Sequence, residues 1–237
     1  LSSGCRKREK EETLRKLESG EIDILIGTHA VIQDDVRFKN LGLAITDEQH
    51  RFGVDQRRKL AAKGKNPDIL VMTATPIPRT LAVILFGDLD ISVIDELPPG
   101  RKPVITKAVT SRQRRKVYEF VAGQIGQGRQ AYVVAPLIED SEAVDASSAV
   151  SIHRDLQKIF PGYSVALVHG GMSQEEKDRI MKDFSDGVVD ILTATVVIEV
   201  GINVPNATVM VIENAERFGL AQLHQLRGRV GRGSSQS

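Results

Sequence analysis

Short apolar runs alternate with amphipathic, charged stretches along the 237 residues of this chain. The apolar runs predict buried strands at 22–26, 41–46, 69–72, 131–134, 164–168, 190–193 and 208–212. The stretches between them predict helices at 6–17, 51–63, 111–123, 147–160, 173–184 and 217–226, with a capping box opening the helix at 173. Strands that alternate with helices indicate an α/β fold with mostly parallel sheets flanked by helices.

Residues 97–103, Leu-Pro-Pro-Gly-Arg-Lys-Pro, interrupt this pattern with three prolines and one glycine. Such a segment continues neither a helix nor a central strand. We therefore predict a linker at 98–103 between a first lobe at 1–97 and a second lobe at 104–237. A long surface loop inside a single domain is the alternative interpretation.

The overall charge is nearly balanced, at a formal net value of +1, so any nucleic-acid surface must be a local patch. For the basic run at 112–116, a solvated helix face is favoured over a phosphate contact. The single cysteine, Cys5, excludes an internal disulfide and a cysteine-rich zinc site. No apolar run approaches the length of about 20 residues that a membrane span needs. Because the chain starts without methionine, we expect it to be part of a longer protein.

Two carboxylates, Asp47 and Glu48, follow the apolar strand at 43–46. Ligands of open parallel sheets bind at the carboxyl ends of the strands. On a core that hydrolyses nucleotides, the aspartate can hold Mg²⁺ beside the phosphates, and the glutamate can orient the attacking water. The alternative is a strand that ends in two solvated acids before a turn.

Arginines recur near the end of the chain in the sequence Gln-Leu-Arg-Gly-Arg-Val-Gly-Arg at 225–232. Arg229 and Arg232 are three residues apart, so on a helix or a regular turn they share a face. A guanidinium forks onto phosphate oxygens and can stabilise the charge that develops on a γ-phosphoryl group. A basic surface turn is the alternative.

Small residues and hydroxyls follow several other predicted strands. Thr73 and Thr75 can relay hydrogen bonds between the acidic residues and the other lobe, or they can bond locally in a plain turn. Backbone N–H groups and hydroxyls at strand ends also bind a sugar–phosphate backbone without reading bases. Residues in such loops, each of which could also be only a turn, are Thr28, Gly170, Gly171 and Thr195.

Three of these motifs, at 47–50, 72–79 and 225–232, resemble motifs II, III and VI of the superfamily 2 helicases in order and spacing. Longer stretches at 47–53, 73–80, 87–90, 95–103 and 216–232 are similar to the RecG family of branch-migration helicases. Gln49 and the proline-rich segment favour that family over the related transcription-repair coupling translocases. The resemblance implies two RecA-like lobes, the first truncated at its amino end.

The same resemblance implies an ATP and Mg²⁺ site, with Asp47 as the metal ligand and Asp47, Glu48, Arg229 and Arg232 as catalytic residues. It adds nucleotide-site residues at Gln49, His50, Gly201, Asn203 and Gln225, and nucleic-acid contacts at Thr28, Gly170, Gly171 and Thr195. Two positions depart from the superfamily pattern: Asn203 stands where many members have aspartate, and Val196 where a second threonine is frequent.

The function that the resemblance implies is ATP-driven translocation on double-stranded DNA, with branch migration of stalled forks and Holliday junctions in recombination and repair. Branched DNA and the single-stranded DNA-binding protein are the expected partners of a monomer in the bacterial cytoplasm, without a membrane partner. The alternatives are a transcription-repair coupling motor and a non-catalytic DNA- or protein-binding scaffold. A metal-dependent hydrolase finds no support, because the histidines lack metal-ligand spacing.

No Gly-x-x-x-x-Gly-Lys-Ser/Thr phosphate loop occurs within the 237 residues. We expect its lysine and Mg²⁺-binding hydroxyl to precede Leu1, and we expect this chain alone to neither hydrolyse ATP nor unwind DNA. ATP turnover by the purified chain, abolished by Asp47→Asn, would refute that expectation.

Overall fold

The computed structural model of the chain describes residues 1, 5–47, 54–73, 90–98, 100–136, 142–195, 204–233 and 235–237. Residue contacts divide the chain into two compact units, Leu1–Leu81 and Ala82–Ser237. The domain boundaries and the linker at 98–103 remain predictions. Within the described residues from 90 to 110, the chain forms neither helix nor strand.

The described residues of the first unit form a two-stranded parallel sheet and two helices. Helix α1 spans Lys7–Ser19 and ends at Gly20, whose φ of 81° is the left-handed value that glycine adopts most easily. A 3-10 turn at His29–Ile32 precedes strand β1, Leu43–Thr46. Helix α2, Val54–Ala61, then leads to strand β2, Asp68–Val71, which pairs with β1 in parallel.

The strand predicted at 22–26 is wrong. Ile24 and Ile26 are 79% and 82% exposed, and this segment lies in neither sheet. An alternating apolar pattern becomes a strand only when a neighbouring strand supplies hydrogen bonds and a covered face. Among the described residues of this unit, β1 and β2 pair only with each other.

In the part of the second unit that the structure describes, four parallel strands form a sheet in the order β4-β5-β3-β6. Its strands are β3 Gln130–Val134, β4 Val165–Val168, β5 Ile191–Ala194 and β6 Ala207–Ile212. Its helices are α3 Arg114–Ile125, α4 Glu142–Ile159, α5 Gln174–Ser185 and α6 Leu220–Arg227, with 3-10 turns at Ser111–Gln113 and Ala215–Arg217. The predicted α/β class with parallel sheets flanked by helices is confirmed.

Alternating residues of the central strand β3 pack into two separate cores. Tyr132 and Val134 join Phe184 of α5 and Leu226 of α6 on one face of the sheet. Ala131 and Val133 join Val121 of α3 and Leu156 of α4 on the other face. A strand covered on both faces reads as a continuous apolar run, which is why the pattern at 131–134 predicted it correctly.

Two helix starts show how local chemistry sets the boundaries. The capping box predicted before α5 is confirmed: Ser173 Oγ accepts a hydrogen bond from the Glu176 N–H at 3.3 Å, and Glu176 Oε2 accepts one from the Ser173 N–H at 3.0 Å. Helix α6 begins at Leu220 rather than at 217, because Asn214, with φ 50°, turns the chain into a 3-10 turn first.

Glu213 joins the end of β6 to the start of α3. Its N–H donates to the Val134 carbonyl at 3.0 Å, and its Oε1 accepts from Arg114 Nε at 3.0 Å and from the Tyr118 hydroxyl. Burial, followed by the adjacent carboxylate, raises the pKa of Tyr118, so its hydroxyl stays a donor. This network fixes the chain just before it turns towards α6.

Candidate functional site

The acidic end of the first-unit sheet is formed by the ends of two parallel strands. Thr46 pairs with Val71, and the Met72 N–H donates to the Thr46 carbonyl at 2.8 Å. Asp47 and Thr73 therefore follow neighbouring strands at the same edge of the sheet, and both are exposed. Glu48, Gln49, His50 and Thr75 lie outside the described residues.

The chemistry of this edge fits Mg²⁺ bound together with phosphates. Mg²⁺ prefers hard oxygen ligands, and in nucleotide sites one or two carboxylates plus phosphate oxygens are usually enough. The exposed carboxylate of Asp47 is such a donor. No group of three or more histidine, cysteine, aspartate or glutamate side chains in the described part of the chain could hold a metal by itself. Asp47 thus suits a metal that arrives with a nucleotide.

Thr28 is the residue before the 3-10 turn at His29–Ile32, and its side chain is exposed. The Thr28 N–H donates to the Leu1 carbonyl at 3.0 Å, and the Thr28 carbonyl accepts from the Val31 N–H at 3.0 Å. Its hydroxyl makes no capping hydrogen bond. The backbone N–H and carbonyl of Thr28 are therefore occupied, while its hydroxyl belongs to an exposed residue.

In the second unit, the structure brings Gly170, Gly171 and Thr195 to one edge. They follow the neighbouring strands β4 and β5, and the Thr195 N–H donates to the Val168 carbonyl at 3.3 Å. A Cβ placed on Gly170 would meet nothing within 4 Å, so packing within the described chain does not require glycine there. Lys177 Nζ donates to the Gly170 carbonyl at 2.9 Å and brings a positive charge to this loop.

Thr195 differs from the two glycines in accessibility. The side chain is fully buried, and its Oγ1 has no hydrogen-bond partner among the described residues. A buried hydroxyl without a partner is costly, by about 1–3 kcal/mol. In this conformation the loop at Gly170–Gly171 offers backbone groups at the surface, whereas the Thr195 hydroxyl stays enclosed. Gly201, Asn203 and Val196 lie outside the described residues.

Arg229 and Arg232 lie in the turn that follows α6, at residues 228–233, which we call the arginine turn. Helix α6 ends at Arg227, and Gly231 has φ +69°, so neither arginine lies on the helix. Val230, buried between them, anchors the turn in the core together with Leu226. Arg232 Nε donates to the Gly228 carbonyl at 3.0 Å. Gln225 lies in the last turn of α6 and is half-buried.

Several positive charges meet at the arginine turn. Burial lowers the pKa of Arg232, and the nearby guanidiniums of Arg229 and Arg101 lower it further. Burial raises the pKa of Tyr132 to about 12, while Arg232 and Arg229 act in the opposite direction. Since guanidiniums stay protonated, their mutual repulsion is relieved by an anion. The turn is therefore suited to bind an anion such as phosphate.

Arg101 is a residue of this site that our sequence reasoning did not select. Its Nε donates to the Gly231 carbonyl at 3.1 Å. The sequence offered one indication, a single arginine within the proline-rich segment at 97–103. A bond across 130 positions leaves no periodic trace in a single sequence.

Parallel α/β units, a carboxylate at a strand end and clustered arginines are features that helicase motor proteins share with other nucleotide-binding proteins. Family models assign the chain to the helicases. The model described as "Helicase conserved C-terminal domain" matches residues 112–234, and the model "DEAD/DEAH box helicase" matches residues 1–84. Because the first of these covers more than half of the chain, the chain belongs to the family of helicases with this domain.

Within that family, the chain is similar to proteins named ATP-dependent DNA helicase RecG. It is 56% identical to the protein of Streptococcus pneumoniae over 100% of this chain and 36% of that protein. It is 55% identical to the Bacillus subtilis protein, over 100% of this chain and 35% of that protein. It is 59% identical to the Thermotoga maritima protein, over 97% of this chain and 30% of that protein. The resemblance to the RecG family is thus confirmed, and the chain spans about a third of the length of these curated relatives.

A solved structure supports both the fold and the similarity. The structure named "Structure of RecG bound to three-way DNA junction" is 55% identical, with a TM-score of 0.73 over 98% of this chain and 30% of that one. The helicase MrfA bound to DNA and AMPPNP has a TM-score of 0.68 at 17% identity over 100% of this chain and 36% of that one, which shows the shared fold alone. In the described part of the chain, no helix is long and apolar enough to cross a membrane.

Proposed function

We propose that the protein containing this chain is an ATP-dependent DNA helicase that translocates on double-stranded DNA and remodels stalled forks and Holliday junctions by branch migration. The observation that carries this proposal is the 55% identity, over 98% of the chain, with a RecG solved on a three-way DNA junction. The transcription-repair coupling motor and the scaffold without turnover are not favoured by matches of 55–59% identity to RecG proteins.

The acidic edge of the first unit would serve ATP and Mg²⁺. Asp47, exposed at the end of β1, would hold the metal against the β- and γ-phosphates, and Glu48 would orient the attacking water. The bound metal supplies charge neutralisation on the phosphate oxygens. Gln49 and His50 would bind the nucleotide beside these carboxylates, and Thr73 and Thr75 would relay hydrogen bonds from them when the nucleotide binds.

The arginine turn would act on negative charge. Arg229 and Arg232 would stabilise the charge that develops on the γ-phosphoryl group, as guanidiniums do in other phosphoryl-transfer enzymes. Arg232 would exchange its bond to the Gly228 carbonyl for phosphate oxygens. Gln225 would support the turn from the last turn of α6. Gly201 would let the backbone approach the nucleotide, and Asn203 would make a polar contact there.

The strand ends of the second unit would contact DNA. Gly170 and Gly171 would bind the sugar–phosphate backbone through their N–H groups, with Lys177 adding charge to the loop. Thr195, which is fully buried, would need to become exposed before its hydroxyl could reach DNA. Thr28 would add a hydroxyl contact from the first unit. Binding dominated by phosphates would weaken as the salt concentration rises.

For the whole protein, we propose branched double-stranded DNA as substrate and the single-stranded DNA-binding protein as a partner. We propose a monomer in the bacterial cytoplasm, where chromosomal forks are found. The lobes would comprise residues 1–97 and 104–237, joined by a linker at 98–103.

A junction-conversion assay tests the proposal. The natural full-length protein is incubated with a labelled three-way junction, or with a linear duplex of equal length, and ATP or a non-hydrolysable analogue. We expect conversion of the junction only with ATP, and loss of conversion in Asp47→Asn with DNA binding retained. Conversion that proceeds with the analogue, or that survives Asp47→Asn, would contradict the proposal.

A further inference from the structure

We propose that Arg101 is a positioning residue that holds the arginine turn in the geometry from which Arg229 and Arg232 act. This inference rests on the proposed function of the turn in ATP hydrolysis. Arg101 itself is not expected to touch the nucleotide. Its role is to fix the backbone that carries the two arginines.

The contacts of Arg101 converge on the backbone of the turn. Its Nε donates to the Gly231 carbonyl at 3.1 Å, and its Nη2 lies 3.5 Å from the Gly228 carbonyl. These two carbonyls lie three residues apart and enclose both Arg229 and Val230. A planar guanidinium with donors in a fixed fork suits two acceptors at such a spacing. One side chain thus contacts the turn at two points, Gly228 and Gly231.

The Gly228 carbonyl shows why a second donor matters. It accepts from Arg232 Nε at 3.0 Å, and it lies just beyond the end of α6, where carbonyls lack helical partners. When Arg232 turns to a phosphate, this bond is lost. Arg101 remains as a donor to the same carbonyl, and its charge is also favourable at a helix carboxyl end. The turn can therefore keep its shape while Arg232 changes partner.

Arg101 is itself carried by a segment that hydrogen-bonds to residues 236–237. The Ile105 N–H donates to the Ser237 carbonyl at 2.8 Å, and Gln236 Nε2 donates to the Pro103 carbonyl at 2.7 Å. Val104 packs beside Gly231 so closely that an added Cβ would lie 2.8 Å from its Cγ2. These contacts of residues 103–105 thus fix the backbone on the carboxyl side of Arg101.

Arg101 connects the arginine turn to the proline-rich segment in which it lies. It lies within 98–103, the segment predicted to join the two lobes, and it is half-buried against the turn. A change in the path of this segment would move the guanidinium and, with it, the Gly228 and Gly231 carbonyls. The backbone of the arginine turn would therefore shift when the path of segment 98–103 changes.

Kinetics of the natural full-length protein with fork DNA test this role. We expect Arg101→Ala to lower kcat by about ten- to a hundredfold, the scale of a displacement of about 1 Å, with a smaller change in KM for ATP. Lys102→Ala is the matched control, because it removes one positive charge from the exposed neighbouring position, and it should retain the wild-type kcat. Arg101→Lys keeps the charge without the fork and should fall between Arg101→Ala and the wild type.

A double-mutant cycle separates positioning from general destabilisation. If Arg101 acts through Arg232, Arg101→Ala should lower kcat much less in an Arg232→Ala background than in the wild type. Independent effects, whose factors multiply, would overturn the proposal, and so would a wild-type kcat in Arg101→Ala. If Arg101→Ala does not fold, as judged by thermal melting, the same cycle is run with Arg101→Lys.

Amide hydrogen exchange provides a readout that does not depend on turnover. Exchange at residues 228–233 should become severalfold faster in Arg101→Ala and stay unchanged in Lys102→Ala. Unchanged exchange in Arg101→Ala would contradict the positioning role. A wild-type protein that never hydrolyses ATP would instead contradict the proposed function, and the exchange result would still decide whether Arg101 holds the turn.

Discussion

Replacing Gly231 with alanine tests the geometry of the arginine turn. Gly231 has φ +69°, a left-handed backbone conformation that residues other than glycine rarely adopt. A Cβ at this position would also lie 2.8 Å from Val104 Cγ2, closer than such atoms approach one another in proteins. The substitution therefore adds a backbone cost and a steric cost at one residue.

The two costs can be estimated separately. The left-handed conformation costs about 1–2 kcal/mol for a residue with a Cβ. Overpacking of a filled site costs about 1–3 kcal/mol, and Val104 relieves it poorly because a β-branched side chain has few rotamers. We therefore expect Gly231→Ala to lower the free energy of unfolding of the second unit by about 2–5 kcal/mol, the sum of the two ranges.

Tyrosine fluorescence can follow the unfolding of this unit in urea. The three tyrosines of the chain, at 118, 132 and 163, all lie in the second unit, and the chain has no tryptophan. Gly128→Ala is the matched control, because Gly128 has φ +78° and a Cβ there meets nothing within 4 Å. It should show the backbone cost alone. Gly123→Ala, within α3 and also without close neighbours, should be stabilising by up to about 1 kcal/mol.

Adding Val104→Ala to Gly231→Ala completes the design. The second substitution removes the clashing methyl group, so the double variant should lose less stability than the two single changes predict together. Equal destabilisation by Gly231→Ala and Gly128→Ala would show that the contact with Val104 is absent. A stable Gly231→Ala would refute both the left-handed turn and the packing around it.

Three further predictions follow from packing, capping and electrostatics. Phe184→Ala should lower the free energy of unfolding in urea by about 3–5 kcal/mol, because this ring is fully buried with its centroid 4.9 Å from that of Tyr132. Phe120 is 58% exposed, so Phe120→Ala should change that free energy by less than about 1 kcal/mol. Ser173→Ala should cost about 1 kcal/mol by removing the cap of α5 in the same assay, and an unchanged midpoint would contradict the capping role. Hydrogen bonds from the Ser173 hydroxyl and N–H lower the pKa of Glu176 in the folded protein below its ordinary value of 4.5. The contribution of the Glu176 carboxylate to folding stability is therefore present above pH 4.5 and is lost as the pH falls through the lowered pKa. The advantage of the wild type over Glu176→Gln in urea should therefore be seen at pH 7 and shrink below about pH 4.5, and an advantage that grows in acid would contradict this sign.

The sequence predicts a strand or a helix correctly where the local apolar pattern agrees with the burial of the residues in the fold. The apolar run at 131–134 is β3, buried on both faces, and the capping box at 173 opens α5. The run at 22–26 is also mostly apolar, yet it is not a strand, because the described residues of that unit offer it no neighbouring strand. Strand formation depends on a partner that a single sequence does not specify.

The site shows the same division between local and long-range information. The spacing of Arg229 and Arg232 selected both arginines, but it could not reveal that α6 ends at Arg227 or that Gly231 takes a left-handed conformation between them. The contacts of Arg101 with Gly228 and Gly231 join positions 127 and 130 residues apart, so no local pattern predicts them. The role of Thr195 likewise depends on its burial, which cannot be predicted from its position at the end of a strand.

The most direct test compares ATP hydrolysis by the natural full-length protein without DNA, with linear duplex and with a model fork, for the wild type and for Arg232→Ala. We predict strong stimulation of the wild type by the fork, weaker stimulation by linear duplex, and loss of turnover by about 10³-fold or more in Arg232→Ala, the scale of an arginine that stabilises phosphoryl transfer. Fork binding should persist in the variant. Equal rates on linear and forked DNA would contradict the assignment to branched substrates, and full turnover in Arg232→Ala would contradict the role of the arginine turn.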